Sequence, residues 1–198
     1  VQSVDLTDVK FQWRADQPVV LDIPAFSVGA GERVFVSGPS GSGKTTLLNL
    51  LGGVALPQTG SVSVGNLRLD KLSSSARDVF RADHIGFIFQ SFNLVPYLSL
   101  IENALLPCRF SEIRASRAME RSGSVEKDAR RLLARMGLDV DSLSRRPVTE
   151  LSIGQQQRVA AARALVGNPG LVIADEPTSS LDEDARKMFL DLLFGEID

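Results

Sequence analysis

The chain has 198 residues, of which 43% are hydrophobic and 23% are charged, so it is long enough to fold as one globular domain with a substantial core. Its net charge of −2 at pH 7 argues against a general nucleic-acid partner, because proteins of that class carry a basic surface. The single cysteine, Cys108, excludes an internal disulfide, and no apolar run reaches the roughly 18 residues of a membrane span, so we expect a cytoplasmic protein that meets a membrane only through a partner.

The N-terminal part alternates apolar and polar residues in two segments, which predicts two β-strands. The first covers residues 4–11 and the second residues 19–26, with a turn at residues 16–18 between them. Trp13 follows the first strand, where an exposed indole would stack on an adenine ring. The alternative is a tryptophan packed on the edge of the sheet, and the residues alone do not choose between these two interpretations.

A glycine-rich stretch follows an apolar strand pattern at residues 34–36 and precedes a helical run at residues 47–51. It consists of Gly38, Pro39, Ser40, Gly41, Ser42, Gly43, Lys44, Thr45 and Thr46. Strand, glycine-rich loop and helix in this order are typical of a loop that wraps a polyphosphate, because glycine lets consecutive amides point at oxygens. Lys44 would place its charge at the β- and γ-phosphates, and Thr45 would offer a hydroxyl to Mg2+. We therefore expect a nucleotide site here.

The next segment predicts a β-hairpin over residues 61–69, a helix over residues 73–83 and a buried strand over residues 85–89. Gln90 follows that strand. Because α/β sheets gather ligands at the carboxyl ends of their strands, Gln90 can reach a metal ion or an attacking water. The alternative for this residue is a solvated glutamine at a strand end.

Two helical patterns follow, at residues 100–106 and at residues 124–138, and residues 107–123 between them differ in character. This intervening segment contains Arg109, Arg114, Arg117 and Arg121. A nucleic-acid patch is conceivable, but Glu112 and Glu120 dilute the charge, and Phe110 is the single aromatic residue among the arginines. We interpret the segment as a solvated loop or helix face.

Ser152 lies at the N-cap position of a predicted helix that runs to Leu165. Free amides and the positive end of the helix dipole favour a phosphate at such a position. A serine cap of this kind is also a common structural feature, and this alternative remains open for the residue taken alone.

A buried strand is predicted over residues 171–174 and ends at Asp175 and Glu176. An apolar strand followed by an acid is the Walker B pattern, in which Asp175 holds the Mg2+ shell. Glu176 is placed to polarise a water for in-line attack on the γ-phosphorus. The alternative for these two acids is a pair of charges at a helix start. Further along the chain, residues 180–182 are predicted to cap a last helix.

These motifs, in this order, resemble those of the ATP-binding subunit of an ATP-binding-cassette (ABC) transporter over essentially the whole chain. The family signature, which phosphate-loop kinases and GTPases lack, is matched by Leu151, Ser152, Gly154, Gln155, Gln156, Gln157 and Arg158. Within this family, the chain most resembles the branch that serves lipoprotein release and macrolide export. The residues that carry this resemblance are Phe89, Gln90, Phe92, Asn93, Leu94, Pro96, Leu98, Glu102 and Asn103.

The resemblance implies an α/β fold with a P-loop NTPase (RecA-like) core, an N-terminal antiparallel β subdomain and an α-helical signature subdomain. The whole chain, residues 1–198, would form one ABC ATPase domain. Residues 1–90 and 165–198 would form the catalytic core with the β subdomain, and about residues 91–164 the helical subdomain.

The resemblance also implies a composite ATPase mechanism with ATP and Mg2+ as cofactors. Two subunits pair head to tail and enclose two ATP molecules. In each site the catalytic residues would be Glu176, Lys44 and Gln90, while Thr45, Gln90 and Asp175 would hold Mg2+, the last through a water. Nucleotide contacts are implied for Trp13, which matches the adenine-stacking aromatic of the family, and for Gly38, Pro39, Ser40, Gly41, Ser42, Gly43, Lys44, Thr45 and Thr46.

The second copy would supply Ser152, Gly154 and Gln155 in trans against the γ-phosphate, with Asp182 in the D-loop linking the two sites. The further partner implied is a transmembrane permease subunit, contacted by the loop after Gln90, and no nucleic acid. The chain would then lie on the inner face of the cell membrane, held there by that partner.

Two features depart from the family pattern. Ile153 stands in the signature where the family most often has glycine, and no histidine follows Asp182 at the spacing of the family's switch residue. The only histidine, His84, precedes Gln90 and is interpreted as an ordinary strand-start residue. We therefore expect a shortened C-terminal part and doubtful hydrolysis by this piece alone.

The sequence leaves two alternatives to a transporter ATPase. One is an ABC-type ATPase of repair or translation without a membrane partner, which usually has two cassettes or an inserted coiled coil, and neither pattern is present in the sequence. The other is a nucleotide-binding module without turnover, which Ile153 and the missing histidine favour and the intact Lys44, Asp175 and Glu176 disfavour.

Overall fold

The computed structural model of the protein describes residues 3–144, 146–179 and 181–197. The chain folds as two compact units, residues 1–81 and residues 82–198.

The first unit is built on one antiparallel sheet in the order β2-β1-β3-β4. Its strands are β1 (Val4–Phe11), β2 (Leu21–Val28), β3 (Thr59–Val64) and β4 (Leu67–Arg68). The buried residues of β1 are Val4, Leu6, Val9 and Phe11, which follow the strand period of two on either side of a one-residue shift after Leu6. The predicted strand pair and the predicted hairpin are confirmed.

A bulge interrupts β1 at Asp8, whose φ is +50°, and the pairing with β3 shifts register there. Gly60 of β3 lies against the bulge with a φ of +83°, and a Cβ at this position would lie 2.3 Å from the carbonyl oxygen of Asp8. Only glycine fits so close an approach of two backbones.

Helix α1 (Lys44–Leu51) and helix α2 (Ser74–His84) form where the sequence predicts them. The strand predicted at residues 34–36 is wrong, because this segment has no regular secondary structure and Phe35 is 91% exposed. Apolar alternation alone does not produce a strand, because the backbone also needs an adjacent strand with which to form hydrogen bonds. The sheet β2-β1-β3-β4 does not include this segment.

The second unit contains a parallel pair of short strands, β5 (Ile85–Ile88) and β6 (Leu171–Ala174). Their register pairs Ile85 with Leu171 and Ile88 with Ala174, so both strands end at the same level. His84 closes α2 directly before β5, and burial lowers the pKa of its imidazole. Both strands were predicted from their short apolar runs, and both are confirmed.

Six helices accompany this pair in the described residues. They are α3 (Leu100–Phe110), α4 (Glu112–Ser122), α5 (Val125–Arg135), α6 (Val140–Leu143), α7 (Ile153–Leu165) and α8 (Glu183–Ile197). Their apolar faces form one core that includes Leu100, Ala104, Leu132, Leu133, Met136, Val159, Leu165 and Phe189. Across the described part of the chain, no helix combines the length and the hydrophobicity that crossing a membrane requires.

Arg114 of α4 is buried, which contradicts the prediction of a solvated face for the four arginines of residues 107–123. Only 2% of its surface is exposed. Its guanidinium donates to the carbonyl oxygens of Val166 (2.8 Å), Ala164 (2.7 Å) and Ile85 (3.2 Å). Helix α7 ends with carbonyls that have no partner within the helix, and Arg114 satisfies them. Burial lowers the pKa of Arg114 to about 10, so the group stays charged at neutral pH.

Replacing Arg114 with methionine should lower the free energy of unfolding by about 2–4 kcal/mol, because several buried carbonyls would lose a charged donor. Urea denaturation followed by circular dichroism measures this effect. The matched control is Arg121→Met at an exposed position of the same helix, expected to change stability by less than about 0.5 kcal/mol. Equal effects of the two substitutions would contradict the assignment.

Candidate functional site

The glycine-rich stretch of the first unit forms a loop that runs into the N-terminus of α1. Gly41 has a φ of +80°, and Gly43 is the N-cap of α1 with a φ of +92°. A Cβ at Gly43 would lie 2.8 Å from Leu21 Cδ2 and 3.3 Å from the carbonyl oxygen of Val20. The left-handed backbone and this crowding explain why glycine occupies the position.

Lys44 holds this loop together through its side chain. Its ammonium donates to the carbonyl oxygens of Gly38 (2.8 Å) and Pro39 (3.1 Å), so the positive charge lies across the loop. Thr45 is exposed, whereas Thr46 is buried. A surface pocket here is lined by Leu21, Val36, Ser37, Gly38, Pro39, Ser42, Gly43, Lys44 and Leu47. The loop thus combines left-handed glycines at a helix N-terminus, a cation and the exposed residue Thr45, which suits a polyphosphate.

Trp13 lies two residues beyond the end of β1 and is 56% exposed. Its ring meets that of Phe11 edge to face, with 4.9 Å between the ring centroids. The indole therefore has one aromatic contact within the sheet and retains surface for a further ligand, and its role in stacking stays a prediction.

The paired strands of the second unit bring three predicted site residues together. Asp175 and Glu176 follow β6 directly, and the amide of Asp175 donates to the carbonyl oxygen of Ile88 at 2.9 Å. Gln90, two residues beyond β5, lies with its Nε2 atom 3.4 Å from Glu176 Oε2. The common level of the two strand ends produces this meeting.

Glu176 has a φ of +44°, a left-handed conformation that is unfavourable for a residue with a Cβ. Such strain persists where the surroundings impose it, and it is concentrated at functional positions. The residue with this strained backbone is the one whose carboxylate lies 3.4 Å from the Gln90 amide.

The donor types at the predicted metal ligands fit Mg2+. Thr45 offers a hydroxyl, Gln90 an amide oxygen and Asp175 a carboxylate, all hard oxygen ligands of the kind that this ion prefers. Among the described residues, no group of three or more histidine, cysteine, aspartate or glutamate side chains could hold a metal ion.

The signature residues form the start of α7, with Ser152 as its N-cap. The Ser152 hydroxyl accepts from the amide of Gln155 at 3.3 Å, and Gln155 Oε1 accepts from the amide of Ser152 at 2.9 Å. This reciprocal pair is a capping box, so the structural interpretation of Ser152 holds whatever else it binds. Ile153 is 59% exposed, and a Cβ at Gly154 would meet no atom within 4 Å. The start of α7 is therefore open to a ligand from outside.

Three further signature side chains support this helix start, and the sequence analysis gave them no role. Gln156 Nε2 donates to the carbonyl oxygen of Leu151 at 2.9 Å, and Arg158 Nε donates to that of Gly154 at 3.1 Å. Gln157 is fully buried, and its amide donates to the carbonyl oxygen of Pro177, one residue beyond Glu176. Its spacing of three, four and seven from Ala160, Ala161 and Ala164 is the signal that could have placed it on the buried face.

Asp182 lies before α8, and its carboxylate accepts from the amide of Ala185 at 2.8 Å. The predicted capping of the last helix is thus confirmed for Asp182. Ser180, assigned to the same cap, lies outside the described residues. The proposed D-loop role of Asp182 is a separate matter and stays a prediction.

The comparison with known proteins gives consistent matches. A family model described as "ABC transporter" matches residues 21–179. The chain is 43% identical over 176 residues to the lipoprotein-releasing system ATP-binding protein LolD of Chromohalobacter salexigens, covering 89% of this chain and 70% of that protein. It is also 43% identical over 169 residues to the macrolide export ATP-binding/permease protein MacB of Burkholderia pseudomallei, covering 85% of this chain and 24% of that longer protein.

A solved structure matches the fold. It is a dimeric post-hydrolysis state of the ATP-binding cassette MJ0796 bound to ADP and Pi, with a TM-score of 0.82 and 34% sequence identity. The match covers 98% of this chain and 83% of that one.

The geometry of the glycine-rich loop predicts that Gly43→Ala destabilises the start of α1. A left-handed alanine costs about 1–2 kcal/mol, and the new Cβ would crowd Leu21. Hydrogen exchange of the α1 amides should accelerate accordingly. The control is Gly29→Ala, whose Cβ would meet only Glu32 Oε2 at 3.4 Å, and for which exchange in α1 should not change. Unchanged α1 exchange in Gly43→Ala would disprove the assigned loop geometry.

Proposed function

Because the chain belongs to the ABC transporter family, as an ATP-binding subunit with ATPase activity, we propose that it works as a head-to-tail dimer that drives export or extraction of a substrate through a separate membrane subunit. The family, the α/β cassette fold and the ATPase activity confirm what the sequence motifs predicted. The observation that carries the hydrolytic step of the proposal is the meeting of Gln90 and Glu176 at the common end of β5 and β6.

In the proposed reaction Glu176 is the general base. Its carboxylate accepts a proton from a water that attacks the γ-phosphorus in line, and the Gln90 amide beside it orients that water. When bound, Mg2+ would neutralise charge on the phosphate oxygens, held by Thr45, Gln90 and Asp175, the last through a water. Glu176 needs a fixed direction for this task, and its strained backbone supplies one.

The phosphate loop binds the nucleotide in this proposal. Backbone N–H groups of residues 40–46 surround the phosphates, and the Lys44 ammonium transfers from the carbonyls of Gly38 and Pro39 to phosphate oxygens. The Trp13 indole stacks on the adenine ring, with its exposed surface available for that contact.

A second copy completes each site. The start of α7 would approach the γ-phosphate bound by the partner, with Ser152, Gly154 and Gln155 as donors and the helix dipole adding attraction. The open space around Gly154 supports this approach. Asp182 would link the two sites, and ATP would shift the equilibrium towards the closed dimer by its greater affinity for that state. The dimeric state of the MJ0796 structure also supports the arrangement.

We propose further that the whole chain is one cassette. Residues 1–90 and 165–198 form the catalytic core with the β subdomain, and about residues 91–164 form the helical subdomain. The surface for a transmembrane permease is the loop after Gln90, where Tyr97 is 81% exposed. Relatives named for lipoprotein release and macrolide export support an export or extraction role on the inner face of the membrane.

Glu176→Gln should trap an ATP-bound dimer, because binding is retained while the general base is lost. Turnover should fall by about 10²–10⁴-fold, the usual contribution of such a base. Size-exclusion chromatography and phosphate release, each with saturating Mg-ATP, measure the two effects. The control is Glu183→Gln, an exposed acid in the first turn of α8, which should behave as wild type. A monomeric Glu176→Gln variant under these conditions would refute the composite site.

Ser152→Ala should weaken the ATP-dependent dimer by more than tenfold, because the signature would lose its hydroxyl towards the partner's ATP, a loss of about 1.4 kcal/mol. It should also cost about 1 kcal/mol of helix capping. Ser124→Ala is the matched control, since Ser124 caps α5 through the amide of Lys127 at 3.1 Å. Both variants should lose similar stability in urea, and only Ser152→Ala should impair dimerisation by analytical ultracentrifugation. Equal dimerisation would leave Ser152 as a cap alone.

A further inference from the structure

The segment of residues 91–98, called here the post-Gln90 loop, has no helix or strand but has a closely specified backbone. The amide of Phe92 donates to the carbonyl oxygen of Phe89 at 3.0 Å, and that of Leu98 to Val95 at 3.2 Å. The loop ends at the capping box of α3, where Ser99 and Glu102 satisfy each other's amides. An irregular segment of this kind needs partners from outside itself to keep one shape.

Arg163 supplies such partners at the first half of the loop. It belongs to α7, the helix that begins at Ser152, and its guanidinium donates to the carbonyl oxygens of Phe92 (2.5 Å) and Asn93 (2.7 Å). Two donors of one rigid fork thus hold two consecutive peptide groups. Burial lowers the pKa of the guanidinium, which marks this contact as partly removed from water.

The two clamped residues have a strained backbone. Phe92 has a φ of +59° and Asn93 a φ of +48°. Asparagine tolerates the left-handed region, but a bulky residue such as phenylalanine rarely adopts it. Two such residues in succession persist only where the surroundings hold them.

Asn103 of α3 holds the second half of the loop. This buried side chain accepts from the amide of Val95 at 2.8 Å and donates to the carbonyl oxygens of Val95 and Leu98 at 3.1 and 3.2 Å. The loop is therefore fixed to α3 by Asn103 and to α7 by Arg163. Of these two, only Arg163 lies on the helix that carries the signature.

We propose that Arg163 is a positioning residue that makes the shape of the post-Gln90 loop depend on the position of α7. Arg163 lies eleven residues beyond Ser152, about 16 Å along a rigid helix, so a displacement at the signature reaches the carbonyls of Phe92 and Asn93 directly. This inference rests on the proposed function, in which the signature contacts the partner's ATP and the loop contacts the membrane subunit. In that setting the clamp carries the nucleotide state to the first half of the loop, at Phe92 and Asn93.

The first experiment measures hydrogen exchange of the loop amides without nucleotide. Arg163→Lys keeps the charge but cannot hold two carbonyls with one planar fork, so exchange over residues 92–98 should accelerate about tenfold or more. The control is Arg117→Lys, because Arg117 also donates to the carbonyl of a left-handed residue, Asn168, at 3.1 Å. It should leave exchange in the loop within about twofold of wild type.

A second pair of variants tests the clamp from the loop side at an exposed residue that should not affect folding. Asn93→Val places a β-branched residue where φ is +48°, so loop exchange should rise as it does in Arg163→Lys. Asn93→Gly accepts the same φ without strain and keeps the carbonyl, so its loop exchange should stay within about threefold of wild type. The inference is overturned if both Asn93 variants behave alike, or if Arg163→Lys accelerates exchange equally throughout residues 82–198.

The second experiment tests the coupling in the Glu176→Gln background with Mg-ATP. Dimerisation should slow exchange in the loop when Arg163 is present, and the Arg163→Lys/Glu176→Gln double variant should still dimerise but lose this response. An identical loop response in both proteins would overturn the positioning role. If Glu176→Gln does not dimerise, the proposed function fails instead, and the experiment without nucleotide still decides whether the clamp exists.

Discussion

The parallel pairing of β5 with β6 is the constraint on which the chemistry of the second unit depends. The register from Ile85–Leu171 to Ile88–Ala174 ends both strands at one level, so the residues that follow them share a small volume. Asp175 continues the ladder through its amide, which fixes where Glu176 begins. Gln90 and Glu176 are 86 positions apart in sequence, yet they meet because two four-residue strands stop together.

Helix α7 is held in place beside these strands, because side chains satisfy the free backbone groups at both of its ends. The capping box of Ser152 and Gln155 closes the N-terminus, and the guanidinium of Arg114 closes the C-terminus. Gly86 of β5 allows a close approach there, because a Cβ would lie 2.3 Å from the carbonyl oxygen of Ala164. The signature residues are thus presented by a helix seated directly on the strand that leads to Gln90.

The sequence was sufficient to predict the parts of this protein that depend on local pattern. Strands β1, β5 and β6, the hairpin, the glycine-rich loop and the caps at Ser152 and Asp182 each follow from a period or a fixed spacing of residues. Three findings needed the tertiary structure. In the sequence, Arg114 is indistinguishable from three neighbouring surface arginines, and only the structure shows that the C-terminal carbonyls of α7 lie beside it. The contact of Arg163 likewise depends on a loop 70 positions away in the sequence. Residues 34–36 show the reverse error, because their apolar pattern predicts a strand but no strand of the described sheets pairs with them.

The position of Trp13 allows the two units to be followed by different spectroscopic signals. It is the only tryptophan in the chain and it lies exposed beyond the end of β1, so tryptophan emission, excited selectively over that of Tyr97, reports on the first unit. Far-ultraviolet circular dichroism is instead dominated by the second unit, which contains α3 to α8. Denaturation curves from the two signals coincide only if both units unfold in one cooperative step. The position of a single indole therefore makes the cooperativity between the two units measurable without any label.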